Sequence, residues 1–147
     1  MINFSWGGID TYITRLENQI KTSNIPVTMV VGVARGGLIP AIMLSHRLGV
    51  EFDMICWQTR DGSFRDIEKV CNLNKGTLIV DDICDSGRTI TEIKEMNPNL
   101  MYAVIVDKLE DSIVDFYGCS MYTEEWIHFP WERDVEQKTN YIGAINE

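Results

Sequence analysis

The stretch Thr77-Leu78-Ile79-Val80-Asp81-Asp82-Ile83-Cys84-Asp85-Ser86-Gly87-Arg88-Thr89 decides how the rest of this chain is read. Thr77 to Val80 is the apolar, β-branched run expected of a strand buried on both faces. Asp81 and Asp82 stand at the end of that strand, and two neighbouring carboxylates repel each other unless a polyol or a cation compensates them. Gly87 is free to enter positive φ, and the backbone amides and hydroxyls of Ser86 to Thr89 can encircle a phosphate at the start of the next helix. The inner stripe of that helix is Ile90, Ile93 and Met96. Acids for a sugar beside amides for a phosphate match a phosphorylated ribose. Any one of these residues is ordinary at a strand end or helix cap, but the whole string after a buried strand is not.

Upstream, Val27 to Val33 is a second buried run that stops at Ala34-Arg35-Gly36-Gly37, a tight loop. Pro40 and Gly49 bracket a helix from about Ile39 to Leu48. Ile9, Tyr12, Ile13, Leu16 and Ile20 recur at helical spacing, so an amphipathic helix comes first and ends before Asn24-Ile25-Pro26. Val50, Phe52, Met54 and Cys56 alternate with Glu51, Asp53 and Ile55, which predicts a strand with one face better buried than the other. Thr59 to Asp66 is polar, contains glycine and lacks periodicity, the pattern of a mobile loop. Met101 to Val106 is another strand, ending at Asp107-Lys108. From Ser112 the pattern is less regular, and Trp126-Ile127-His128-Phe129-Pro130-Trp131 is an aromatic patch of neither strand nor helix period.

Buried strands alternating with helices predict an α/β fold with right-handed crossovers and a mostly parallel central sheet flanked by helices. Ligands of such sheets sit beyond the carboxyl ends of the strands. The loops at Arg35, Asp81 and Lys108 all fall there, so the coarse fold brings them to one edge.

Bulk properties bound the partners. A chain of 147 residues with 45% apolar content suits a single domain spanning 1–147. Thirteen basic against twenty-two acidic side chains give 13 − 22 = −9, a field that repels nucleic acid and anionic membranes. Cys56, Cys71, Cys84 and Cys119 form no Cys-x-x-Cys pair and signal neither a zinc site nor a disulfide framework. Met1 to Gly8 lacks the pattern of a secretory leader, and the longest apolar run, Val27 to Ala34, is too short to span a bilayer. A cytoplasmic protein is expected.

The acidic string resembles the phosphoribosyl pyrophosphate (PRPP) motif of the type I phosphoribosyltransferases, a family with a Rossmann-like fold and a small C-terminal hood-like segment. That resemblance implies that Asp81 and Asp82 serve the ribose hydroxyls and a hydrated Mg2+, that Asp85, Ser86, Gly87, Arg88 and Thr89 form the phosphate loop, and that Asp85 lies near the base. Arg88 departs from the small residue common at its position. Ala34-Arg35-Gly36-Gly37 is similar to the family's pyrophosphate loop, and Arg65, with Arg60 as its rival, to the arginine of the loop that closes over diphosphate. Lys108 and Trp126-Ile127-His128-Phe129-Pro130-Trp131-Glu132 narrow the resemblance to the bacterial xanthine-guanine members, in which the lysine contacts the purine's exocyclic oxygen. Trp126 and Ile127 then bound the base. Asp107 beside Lys108 departs from that pattern.

The implied reaction transfers phosphoribose from PRPP to guanine, xanthine or hypoxanthine with loss of diphosphate, assigning catalytic parts to Asp85, Arg65 and Lys108. A homo-oligomer, dimer or tetramer, is expected from the family. Two alternatives stay open: a transferase for adenine or a pyrimidine, and a sensor of PRPP or nucleotides that has lost turnover.

Overall fold

The computed structural model describes residues 1–59 and 64–132, so Arg60 lies outside the described residues. The chain runs β1 (Ile2–Asn3), α1 (Trp6–Ser23), β2 (Met29–Ala34), α2 (Leu38–Leu48), β3 (Glu51–Cys56), α3 (Ile67–Cys71), β4 (Thr77–Cys84), α4 (Arg88–Met96), β5 (Met101–Asp107), β6 (Phe116–Ser120) and β7 (Ile127–His128). Local chemistry sets the ends of the two long helices. Ser5 caps α1 by accepting the Gly8 N–H at 3.0 Å, and Asn24 closes it in the left-handed region at φ 58°. Gly49, at φ 66°, closes α2 the same way.

The central sheet has the order β3-β2-β4-β5-β6, and every neighbouring pair is parallel. Both faces are covered, which is why the inner strands read as unbroken apolar runs. Val30, Leu78, Val80 and Ala103 pack with Ile9, Ile13 and Leu16 of α1 and with Ala41 and Leu44 of α2. Val31, Val33, Ile79 and Val104 pack with Val70 of α3 and with Ile90 and Ile93 of α4. Each Val, Leu or Ile side chain among these, fully buried, stabilises the fold by about 1.5–3 kcal/mol. The winding reverses between β2 and β4: the chain leaves β2 toward β3 on one side and continues from β4 toward β5 on the other. Loops that diverge in this way leave a crevice at the carboxyl ends of the two strands.

Several elements differ from the sequence expectation. β4 continues to Cys84 in register with β5, so Asp81 and Asp82 lie within the strand rather than past its end. In β3 it is Ile55 that is fully buried, while Phe52 and Met54 are 39% and 38% exposed. β3 is the sheet edge, and the alternate face carrying Phe52 and Met54 is left largely uncovered. Met96 is exposed at the end of α4, and the inner position goes to Asn97, whose amide donates to the carbonyls of Val70 and Leu73 at 2.9 and 3.0 Å. A buried amide fully used in this way holds the α3 end against α4.

The hood draws on both ends of the described chain, not on the C-terminal segment alone. β1 pairs in parallel with β7, Ile2 opposite Ile127 and Asn3 opposite His128. Phe4 meets Phe129 edge-on with ring centroids 5.7 Å apart, and Phe129 stacks on Trp131 at 4.9 Å. Offset and edge contacts of this kind add about 0.5–1.5 kcal/mol each beyond area burial. The aromatic patch that lacked a period is thus a two-residue strand followed by a ring stack.

Candidate active site

The loop after β2 reaches the acid pair because it carries no side chain where it touches. A Cβ on Gly36 would run into the Asp82 carboxylate, and one on Gly37 into the Val80 carbonyl. The peptide between Ala34 and Arg35 is cis. Arg35 is exposed beside this contact.

Asp81 and Asp82 are arranged by short-range bonds. Oδ1 of Asp81 accepts the Asp82 N–H at 2.9 Å, and Oδ1 of Asp82 accepts the Ile83 N–H at 2.8 Å. From β5 the Tyr102 hydroxyl donates to Oδ2 of Asp81 at 3.3 Å. Burial, then the neighbouring Asp82 charge, pushes the Asp81 carboxyl well above the usual range; burial also raises Asp82. Such a pair gains from a cation or from hydroxyl donors. Among the described residues no group of three or more His, Cys, Asp or Glu side chains forms a metal cage. Two oxygen donors alone fit magnesium, which keeps several waters and takes phosphate oxygens as further ligands.

The loop after β4 turns through Gly87 at φ 81°, and the N-cap Gly87 offers no side-chain cap to α4. The N–H groups of a helix's first turn have no intrahelical partner, so this uncapped end offers them to an anion. Ser86 Oγ accepts the Arg88 N–H at 3.3 Å, so one of these first-turn N–H groups already has a partner within the loop. Arg88, 60% exposed, is held by its own helix: Nε donates to Glu92 Oε2 at 3.0 Å.

At the other end, Lys108 bridges the loops. Its Nζ lies 3.3 Å from Asp85 Oδ1 and 3.4 Å from the Glu125 carbonyl, and its own N–H donates to the Cys84 carbonyl at 2.9 Å. Asp107 does not touch the lysine ammonium; its Oδ1 accepts the Leu109 N–H at 3.1 Å and steadies the turn after β5. Burial, followed by the charges of Asp107, Asp81 and Asp85, pushes the Cys84 thiol up to about 12, which leaves it inert.

A cleft of about 470 Å³ joins these parts. It is lined by Asp81, Asp82, Asp85, Ser86, Gly87, Arg88, Thr89, Lys108, Trp126 and Ile127 among the residues singled out from sequence. Ala34, Arg35, Gly36 and Gly37 do not line it; within that loop Gly36 abuts Asp82 and Gly37 abuts the backbone of Val80 and Asp81. Arg65 stands outside it, with Nε donating to Glu92 Oε1 at 2.7 Å. Sequence reasoning passed over Tyr102 and Glu92. A tyrosine in an otherwise aliphatic buried strand must find its hydroxyl a partner, and Glu92 sits one turn beyond Arg88, where an acid pairs with a base. The cleft can therefore hold an anion at one end, a polyol in the middle and a flat heterocycle under the hood.

No protein-family model matches the sequence. The xanthine-guanine phosphoribosyltransferase of Nitratidesulfovibrio vulgaris is 30% identical over 118 residues, covering 76% of this chain and 72% of the relative. The enzyme of that name from Chromohalobacter salexigens is 31% identical over 112 residues, covering 72% and 69%. Among solved structures, the purine phosphoribosyltransferase of Pyrococcus horikoshii superposes with a TM-score of 0.70 at 31% identity, covering 90% of this chain and 95% of that one.

Proposed function

Because this chain belongs to the xanthine-guanine phosphoribosyltransferase family, we propose that its cleft seats PRPP and a 6-oxopurine side by side. The chain is a PRPP-dependent glycosyltransferase of purine salvage. The bond from the anomeric carbon to diphosphate breaks, and a bond from that carbon to a purine ring nitrogen forms.

The roles follow the geometry. The uncapped start of α4, with Ser86, Gly87, Arg88 and Thr89, takes the 5′-phosphate. Asp81 and Asp82 take the ribose hydroxyls and a hydrated Mg2+, an ion that supplies charge neutralisation for departing diphosphate. The loop Ala34 to Gly37, pressed onto Asp82, faces the diphosphate with Arg35 as its cation. Lys108 donates to the exocyclic oxygen of the base while Trp126 and Ile127 bound its plane. Asp85, 3.3 Å from Lys108, is placed to accept the proton that the purine nitrogen sheds.

The observation that carries this reading is the joining, in one cleft, of a half-buried acid pair, a helix start without a side-chain cap at Gly87, and Lys108. A panel of guanine, xanthine, hypoxanthine, adenine and uracil with PRPP and magnesium tests it: nucleotide is expected from the oxopurines. Product from adenine or uracil alone would move the assignment to another base, and donor binding without product would make the chain a sensor.

The same reading includes self-association, as a dimer or tetramer, through the edge strand β3. Phe52 and Met54 on β3 and Ile42 on α2 expose 39%, 38% and 42% of their surface. Exposed apolar side chains on an edge strand and on the helix that packs beside it suit a second copy of the chain. No helix of the described chain is long and apolar enough to cross a membrane. Four free cysteines suit a reducing compartment, and we place the reaction in the cytoplasm.

A further inference from the structure

Glu92 gathers donors from three parts of the chain. Its Oε1 accepts Trp57 Nε1 at 3.0 Å and Arg65 Nε at 2.7 Å, while Oε2 accepts Arg88 Nε at 3.0 Å. Trp57 is 4% exposed and belongs to the core against Val31, Val33 and Ile79, so one donor is anchored in the interior. Arg65 is tied to Trp57 by a bridge, and the flanking bonds Gln58 N–H to the Phe64 carbonyl and Asp66 N–H to the Cys56 carbonyl, both 3.0 Å, zip the two segments together. Only Arg88, of the three donors, lines the cleft. Arg65 and Trp57 reach the carboxylate without lining the cleft, Arg65 touching both of its oxygens, with Nη2 3.4 Å from Oε2.

A guanidinium on an exposed side chain loses rotamer freedom when it binds an anion, and holding it beforehand removes much of that cost. A carboxylate fixed by a buried indole and a second guanidinium is a rigid mount for such an arginine. The Arg65 guanidinium first, with Trp57 and Arg88, holds Glu92 down to about 2, so the mount stays charged at any working pH.

We infer that Arg65 and Glu92 are positioning residues for donor binding: Arg65 and Trp57 fix Glu92, and Glu92 aims Arg88 at the 5′-phosphate of the donor. The inference rests on the phosphate-loop assignment above and departs from the family resemblance, which gave Arg65 a direct contact with diphosphate.

Ribose 5-phosphate, which carries the phosphate but no diphosphate, separates the two roles. Its affinity for the full chain is measured by calorimetry, beside that of PRPP, for wild type, R65A, E92Q, R88A and the doubles R65A/R88A and E92Q/R88A. Arg65→Ala and Glu92→Gln are each expected to weaken both ligands by about tenfold, and to add less than about twofold once Arg88 is already Ala, as coupled residues do. Arg65→Lys, which keeps a cation on Glu92, is expected to recover most of the loss. Weakening of PRPP alone by R65A, or full additivity with R88A, would show direct contact with diphosphate and overturn the inference. Unchanged affinities, or wild type that fails to bind ribose 5-phosphate, would overturn it as well. Wild type that binds both sugars but makes no nucleotide would overturn the transferase reading and leave this one standing.

Discussion

Gly36 leaves the space that the Asp82 carboxylate occupies: a Cβ at that position would lie inside the carboxylate's van der Waals envelope. The loop after β2 and the acid pair on β4 are therefore one device, and the neighbouring Gly37 shows the same lack of room against the Val80 carbonyl. Strand pairing explains how the device forms, because β2 and β4 are adjacent and parallel from Met29 opposite Thr77 to Gly32 opposite Val80.

Gly36→Ala should displace either the loop or Asp82. We expect a loss of about 1–3 kcal/mol in stability, the usual cost of overpacking. The KM for PRPP should rise at least about tenfold while the KM for the purine stays near wild type. Urea unfolding and initial rates check the two halves separately.

Asp82→Asn should cost activity and add stability. Burial raises the Asp82 carboxyl, and its charge raises Asp81, so ionising both is unfavourable in the unliganded fold. Removing one charge relieves that while taking away a proposed ribose and metal partner. kcat/KM should fall about 100-fold or more, the scale of losing a charge-stabilising group. A thermal midpoint at neutral pH at or above that of wild type is the companion result.

The acid pair also fixes a pH dependence. Both carboxyls titrate above their ordinary value of 3.8 in the folded chain, so the fold binds more protons than the unfolded chain between that value and the raised ones. Stability of the unliganded protein should accordingly fall as pH rises through this window. Binding of magnesium and PRPP, which favours the ionised pair, should release protons there. Calorimetry in two buffers of different ionisation enthalpy measures that release, and proton uptake would contradict it.

Much of this was legible in the sequence, for physical reasons. β2, β4 and β5 are buried on both faces, so their apolar runs are unbroken, and Gly49 and Gly87 announce left-handed turns that the structure places at φ 66° and 81°. β6 and the hood were not legible. Tyr117 of β6 faces outward, and β7 has two residues whose pairing is supplied by Ile2 and Asn3 from the far end of the chain. The alternation in β3 misled because an edge strand is free to turn Phe52 and Met54 outward. Glu92 was missed because its meaning depends on Trp57 and Arg65, which only the fold brings to it.

The N-terminal strand should matter to the base and not to the donor. Ile2 N–H and Phe4 N–H donate at 2.9 Å to the carbonyls of Trp126 and His128, and so hold the segment proposed to bound the purine. Phe4→Ala removes the contacts with Tyr12 and Phe129. We expect a loss of about 2–3 kcal/mol, at or just below the low end of the aromatic truncation range because Phe4 is only partly buried. The KM for guanine should rise several-fold, with PRPP affinity near wild type; the reverse split, read from initial rates, would detach the hood from base binding.

A crystal structure with the nucleotide product tests the whole assignment most directly. The 5′-phosphate is expected against the backbone amides of Ser86 to Thr89, the ribose hydroxyls on Asp81 and Asp82, and the purine between Lys108 and Ile127. A phosphate seated elsewhere, or a base turned away from Lys108, would contradict it.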